Sequence, residues 1–228
     1  MTNAPDYGRA FNAWRNASAI SWRDYTRHDF VNGLGDGTLP RANFIHYLIQ
    51  DYVYLIHYSR AWALGVVKAE TLAEMQLCSA TVDALVNGEM QLHVQTCARD
   101  GIAEDQLFNA AEEPENMAYT RYVLEAGFSG GFLDLMAALA PCVWGYGEIG
   151  AILANEGSSE TYREWIDTYA GDDYQTACIN VGKLLDQALI ARLGDDFENS
   201  PSWPALCKKF ETATRLEIGF WDMGLRGA

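Results

Sequence analysis

Apolar residues recur at helical spacing along nearly the whole chain. No stretch alternates apolar and polar positions over β-branched residues, and no Asn-Gly hairpin signal occurs. Two amphipathic segments open the chain, over 7–19 behind Asp6 as N-cap and over 22–32, the second stopping at the turn Gly33-Leu34-Gly35-Asp36-Gly37. Pro40 begins a long helix reaching Lys68, because at the first turn its missing N–H has no intrahelical bond to lose. Another long helix runs from Glu70 to Arg99, and an acidic stretch over 102–116 reads as a loop with one short helical turn. Further helices are predicted over 114–126, 131–155, 159–169, 173–193 and 204–224. No internal repeat, low-complexity tract or Pro/Ser-rich hinge divides the sequence, so the pattern predicts an all-α, single-domain helical bundle over 1–228.

Charge narrows the functions such a bundle can serve. The 228 residues include 16 Lys+Arg against 31 Asp+Glu, a net charge of −15. A surface this acidic repels phosphate backbones and anionic headgroups, so neither nucleic acid nor a membrane is an expected partner. Uninterrupted apolar runs stay well below the ~20 residues of a membrane-spanning helix. The N-terminus has no basic segment followed by an apolar one, so a cytoplasmic location is expected. The five cysteines are odd in number and widely spaced, with no CxxC, and read as reduced thiols.

Four constellations bear on chemistry. Asp51, Tyr54 and Tyr58 lie three, four and seven residues apart, on one face of the long third helix with His57 beside them. That face is either a boundary surface with Asp51 solvated or paired, or a pocket wall with a carboxylate and an aromatic platform. Cys142 and Tyr146 are spaced to meet on a helix that Pro141 interrupts, freeing backbone groups beside the thiol. Such a thiol is either an activated nucleophile or one more small core hydrophobe. Glu217 precedes Phe220 and Trp221 by one turn; desolvated there it would suit proton donation, and facing water it would be an ordinary surface acid. The pairs Tyr119/Tyr122 and Tyr162/Trp165/Tyr169 read as core or rim aromatics. Gly145-Tyr146-Gly147-Glu148-Ile149-Gly150 matches GxGxxG, but no strand precedes it, so a dinucleotide site is rejected and close helix packing expected. Metal is not expected either: there is no Glu-x-x-His, Glu89 and His93 stand four apart and unaccompanied, and His28, His46, His57 and His93 form no cluster.

Taken in order, the segments HDFVNGLGDGTLPRANFIHYLIQDYVYL, AYTRYVLEAG, APCVWGYGEIG, YREWIDTYAG and LEIGFWDMG resemble the TenA/thiaminase II family. The resemblance implies a heme-oxygenase-like bundle without metal or organic cofactor, assembling as a homotetramer. It places the family's nucleophilic cysteine on Cys142, in the cysteine-bearing branch, and its acid glutamate on Glu217. The substrate-binding aspartate falls on Asp51, the ring-stacking aromatic on Tyr54, and the remaining pocket tyrosines on Tyr119, Tyr146 and Tyr169. The implied activity is hydrolytic deamination of 4-amino-5-aminomethyl-2-methylpyrimidine to the hydroxymethylpyrimidine and ammonia, with slow cleavage of thiamin into its two halves. A same-fold protein with another small heterocyclic substrate and a non-catalytic pyrimidine-binding regulator remain open. An oxidase of quinone biosynthesis would need a basic pocket, and a heme protein an axial histidine in a suitable context; neither is seen.

Overall fold

Segments with an apolar residue every three or four positions must bury one face, and helices do so by packing on other helices. The computed structural model describes residues 5–156 and 158–227 and contains no strand among them. Its helices are α1 (Arg9–Ala17), α2 (Ala19–Thr26), α3 (Asp29–Asp36), α4 (Arg41–Lys68), α5 (Leu72–Ala84) and α6 (Met90–Arg99). They continue with α7 (Glu104–Phe108), α8 (Pro114–Ser129), α9 (Phe132–Asn155), α10 (Arg163–Ala170), α11 (Asp172–Leu193) and α12 (Trp203–Arg226). The expected all-α architecture is therefore present. The ends of the predicted 1–228 unit and Gly157 lie outside the described residues.

The centre of the bundle is α9, buried on almost every face and packed by α2, α4, α8, α10, α11 and α12. By length and apolar content α9 would pass as a membrane span, contrary to what its interrupted apolar runs suggested. It is instead the core helix, with 89% of its most apolar window buried. Large aromatics fill the space on one side: Trp14 and Trp22 pack on Phe210, and Trp144 closes against Phe11 and Trp14. Arg15 grips Glu148 of α9 through two hydrogen bonds of 2.8 Å, and Trp22 donates its indole N–H to the same carboxylate at 3.1 Å. This planar, two-pronged contact fixes α1 and α2 on the core helix.

Several boundaries differ from the sequence reading. The first predicted helix is α1, which starts at Arg9 behind Gly8 rather than Asp6, and the second is two, α2 and α3, separated at Arg27 and His28. The glycine-rich turn is mostly helical, since α3 runs through Gly33 and Gly35 and stops at Gly37, which takes a left-handed φ of 79°. Pro141 does not end α9; the helix continues through it. Side chains bond the carbonyls on either side, Tyr58 to Leu139 at 2.8 Å and Tyr174 to Val143 at 3.3 Å. The helix predicted over 70–99 is divided by a π-helical turn, Leu85–Glu89, between α5 and α6.

Candidate active site

Three elements place carboxyl groups around the thiol of α9. From α4, Asp51 is only 3% exposed. Its Oδ2 lies 2.6 Å from His93 Nε2 and accepts from the Tyr47 hydroxyl at 3.3 Å. Tyr47 also meets the Tyr146 hydroxyl at 3.2 Å, so Asp51 and Tyr146 are joined through a tyrosine the sequence reading did not single out. From α12, Glu217 is 2% exposed and accepts from Tyr119 at 2.8 Å. From the π-turn, Glu89 accepts from Tyr169 at 2.7 Å.

Cys142, on α9, lines a cavity of about 840 Å³ with Tyr58, Glu89, Val143, Tyr169 and Tyr174. The ring of Tyr54 lies against those of Tyr58 and Tyr119, at centroid distances of 5.2 and 5.0 Å. The ring of Tyr146 sits 4.9 Å from that of Tyr169. The hydroxyls of Tyr54 and Tyr25 are buried without a hydrogen-bond partner among the described residues. Burial raises both phenols well above their ordinary value, so they stay protonated beside the site.

Burial sets the protonation states. It pushes the Cys142 thiol well above its ordinary value, and the negative charges of Glu217, Glu89 and Asp51 add to that; Tyr54 opposes it. Burial likewise raises Glu217 to about 8, with Asp51 contributing and Tyr119 opposing. Glu89 is raised by burial and by Asp51. For His93 burial acts downward, but the hydrogen bond and charge of Asp51, with Glu89, outweigh it and leave the imidazole above its ordinary value. At neutral pH the site therefore holds a protonated thiol and a neutral Glu217, with His93 bound to Asp51 at 2.6 Å.

Of the seven residues singled out for the site, Cys142 and Tyr169 line this cavity, whereas Asp51, Tyr54, Tyr119, Tyr146 and Glu217 are buried and do not line it. The water-facing alternative for Glu217 and the rim alternatives for Tyr119 and Tyr169 are thus excluded. His57 does not join them; it faces outward to Glu112 at 3.0 Å. Glu89 and His93, read as unaccompanied, are in fact bonded to two of the candidates, Glu89 to Tyr169 and His93 to Asp51. Their spacing of four was visible, but Asp51 lies 42 residues from His93 and no local pattern pairs them. Among the described residues no group of three His, Cys, Asp or Glu side chains could hold a metal ion.

The GxGxxG glycines serve packing. A Cβ on Gly145 would lie 2.0 Å from the Tyr25 ring, and one on Gly150 would lie 2.5 Å from the Tyr169 backbone carbon. Gly150 thus lets α10, with Tyr169 on it, press directly onto α9.

Comparison with known proteins gives the family. The TENA/THI-4/PQQC family profile matches residues 15–227. An aminopyrimidine aminohydrolase of Halalkalibacterium halodurans is 38% identical over 207 residues, 89% of this chain and 89% of that one. A protein of the same name from Helicobacter pylori is 36% identical over 214 residues, 92% of this chain and 95% of that one. A crystal structure from Silicibacter sp. TM1040, described as a TenA family transcription regulator, is 59% identical, covers 99% of each chain and superposes with a TM-score of 0.95. A match this long, over a bundle of this architecture, shows that the chain belongs to the TENA/THI-4/PQQC family.

Proposed function

We propose that this protein is a thiamin-salvage hydrolase that deaminates 4-amino-5-aminomethyl-2-methylpyrimidine, with Cys142 as nucleophile and Glu217 as acid. The observation that carries the reading is a thiol on an aromatic-walled cavity with two buried acids, Glu217 and Asp51, close enough to act on it. Relatives named aminopyrimidine aminohydrolase support the reaction class.

A flat pyrimidine stacks on Tyr54, and Asp51 accepts a hydrogen bond from its 4-amino group. The sulfur of Cys142 adds to an electron-poor ring carbon while Glu217 gives its proton to a ring nitrogen. The thiol proton returns to Glu217, so the net step adds S–H across a C=N bond and both groups start in the protonation states that burial favours. With aromaticity broken, the lone pair of the 4-amino group expels the exocyclic substituent as ammonia, and Asp51 bears the positive charge that grows there. Water adds to the resulting methylene, and its proton goes to the ammonia that left the protonated arm, giving ammonium. The ring N–H then loses its proton, the C–S bond breaks and the aromatic alcohol is released. Thiamin fits the same sequence with the thiazole as leaving group. Tyr119 holds Glu217, and Tyr146 and Tyr169 line the position of the incoming water.

The test is ammonia release from the aminomethylpyrimidine by the wild type and by Cys142→Ala. Release that vanishes in the variant supports the reading, and a variant with near-normal turnover rules out the covalent adduct. Saturable binding by the wild type without release would point to a divergent heterocycle or a pyrimidine sensor. The description of the Silicibacter protein as a regulator favours the sensor, but a net charge of −15 opposes direct contact with DNA.

The same reading takes the enzyme as a cytoplasmic homotetramer. Val67, Leu72 and Phe128 are exposed where α4 ends, α5 begins and α8 ends, an apolar patch suited to a second copy. Sedimentation as a stable monomer would remove the assembly from the proposal.

A further inference from the structure

The π-turn between α5 and α6 needs a role, because π-helical turns are rare and cluster at functional sites. This one ends on Glu89. Its extra residue per turn brings Glu89 and His93 to the side of α6 that faces α4 and α10, where His93 reaches Asp51 and Glu89 reaches Tyr169. The Glu89 main chain completes the arrangement, since its carbonyl lies 2.9 Å from His93 Nδ1.

We propose that Glu89 selects the substrate's leaving group: its carboxylate receives a primary ammonium on the exocyclic arm of a flat heteroaromatic ring and discriminates against a neutral arm. The inference rests on the pyrimidine reading of the site and adds a specificity residue to it. Oε1 of Glu89 is held by Tyr169, and Oε2 has no hydrogen-bond partner among the described residues. The side chain lines the same cavity as Cys142. The neighbouring cations are engaged elsewhere. His93 is bound to Asp51, and Arg41 and Arg99, which line a smaller cavity on the other side of Glu89, pair with Asp100 and Glu164.

The cavity itself contains no lysine, arginine or histidine, whereas Asp167, Asp172 and Asp173 line it beside Glu89. Such a one-signed lining concentrates cations and steers them inward. An ammonium seated between Glu89 and the thiol offsets the negative charges that raise Cys142 and Glu89, so binding of the right arm also prepares the nucleophile. The neutral alcohol product lacks that charge and leaves more readily.

The test compares two ligands that differ only in that arm, 4-amino-5-aminomethyl-2-methylpyrimidine and its 5-hydroxymethyl counterpart. Titration calorimetry in a Cys142→Ala background avoids turnover. The amine is expected to bind at least ~10-fold more tightly than the alcohol, the scale of one charge-assisted hydrogen bond. Adding Glu89→Gln is expected to reduce that preference to within about 2-fold, with the alcohol's affinity changed less than about 3-fold. A preference that survives Glu89→Gln, a parallel loss for both ligands, or no preference at the start each overturns the assignment while leaving the pyrimidine reading intact. Binding of neither ligand to either protein overturns the pyrimidine reading itself and this inference with it. The readout is a ratio within one variant, so a fall in the folded fraction does not alter it.

Discussion

Glu217→Gln should inactivate the enzyme and at the same time make the protein more stable. Glu217 is buried against Tyr119, and burial lifts its carboxyl to about 8. In the unfolded chain the same group has its ordinary value near 4.5 and is ionised at pH 7. Folding at pH 7 must therefore take up a proton across about 2.5 pH units, at about 1.36 kcal/mol per unit, a cost of roughly 3 kcal/mol. The sign follows from proton binding. Between pH 4.5 and 8 the native state holds more protons than the unfolded state, so this group's contribution is most favourable below 4.5 and is lost as pH rises towards 8. Glutamine has nearly the same shape, can accept from Tyr119 and never titrates. Allowing for imperfect amide hydrogen bonding, about 1–3 kcal/mol should be recovered at pH 7, or roughly 2–10 °C in Tm for a chain of this length. The assay is the wild-type-minus-variant difference in Tm at steps from pH 5 to pH 8, which cancels the other carboxylates. The difference should be small at pH 5 and grow in the variant's favour towards pH 8. A variant equally or less stable than wild type across the whole range would refute the neutral, buried Glu217 on which the acid role depends.

Other outcomes follow from the same geometry. The Cys142 thiol, raised by burial and three carboxyl groups, should react with iodoacetamide at pH 7.5 at least ~10-fold more slowly than a free cysteine, read by mass spectrometry of its peptide; an equal rate would contradict its protonated state. His93→Ala leaves Asp51 buried and unpaired and should cost about 3–5 kcal/mol in urea unfolding. Adding Asp51→Asn should restore much of that stability without restoring turnover. Gly150→Ala must push α10 off α9, because its Cβ would meet backbone at 2.5 Å. It should lower Tm by several degrees, with activity falling through displaced Tyr169, and unchanged kinetics would show that Tyr169 is not held by this contact.

What was legible in the sequence was set by short-range physics. Apolar spacing is read within two turns, so α4, α8, α9, α11 and α12 were found nearly whole. Cys142 and Tyr146 fall on one helix, and Glu217 stands among its aromatics, so each candidate carried its own local signature. The Pro141 break failed because proline removes a single N–H from a helix that is buried on almost every face, and that packing holds α9 on its path. The break at the glycine-rich turn was overcalled for a related reason, since α3 gains more by continuing to Gly37 than its glycines lose.

The charge balance and the all-helical class were thus determined by the amino-acid sequence alone, and the seven candidate site residues were named from it, since each is a property of composition, local period or motif order. Only the tertiary structure decided which of them become chemical. Whether Glu217 is neutral depends on its burial where α12 packs on α8 and α9, which outweighs the opposing hydrogen bond from Tyr119. Whether Asp51 is paired depends on His93, which follows a π-turn that no periodicity announces. Protonation and pairing are set by distances between residues far apart in the chain, and those distances exist only once the helices have packed.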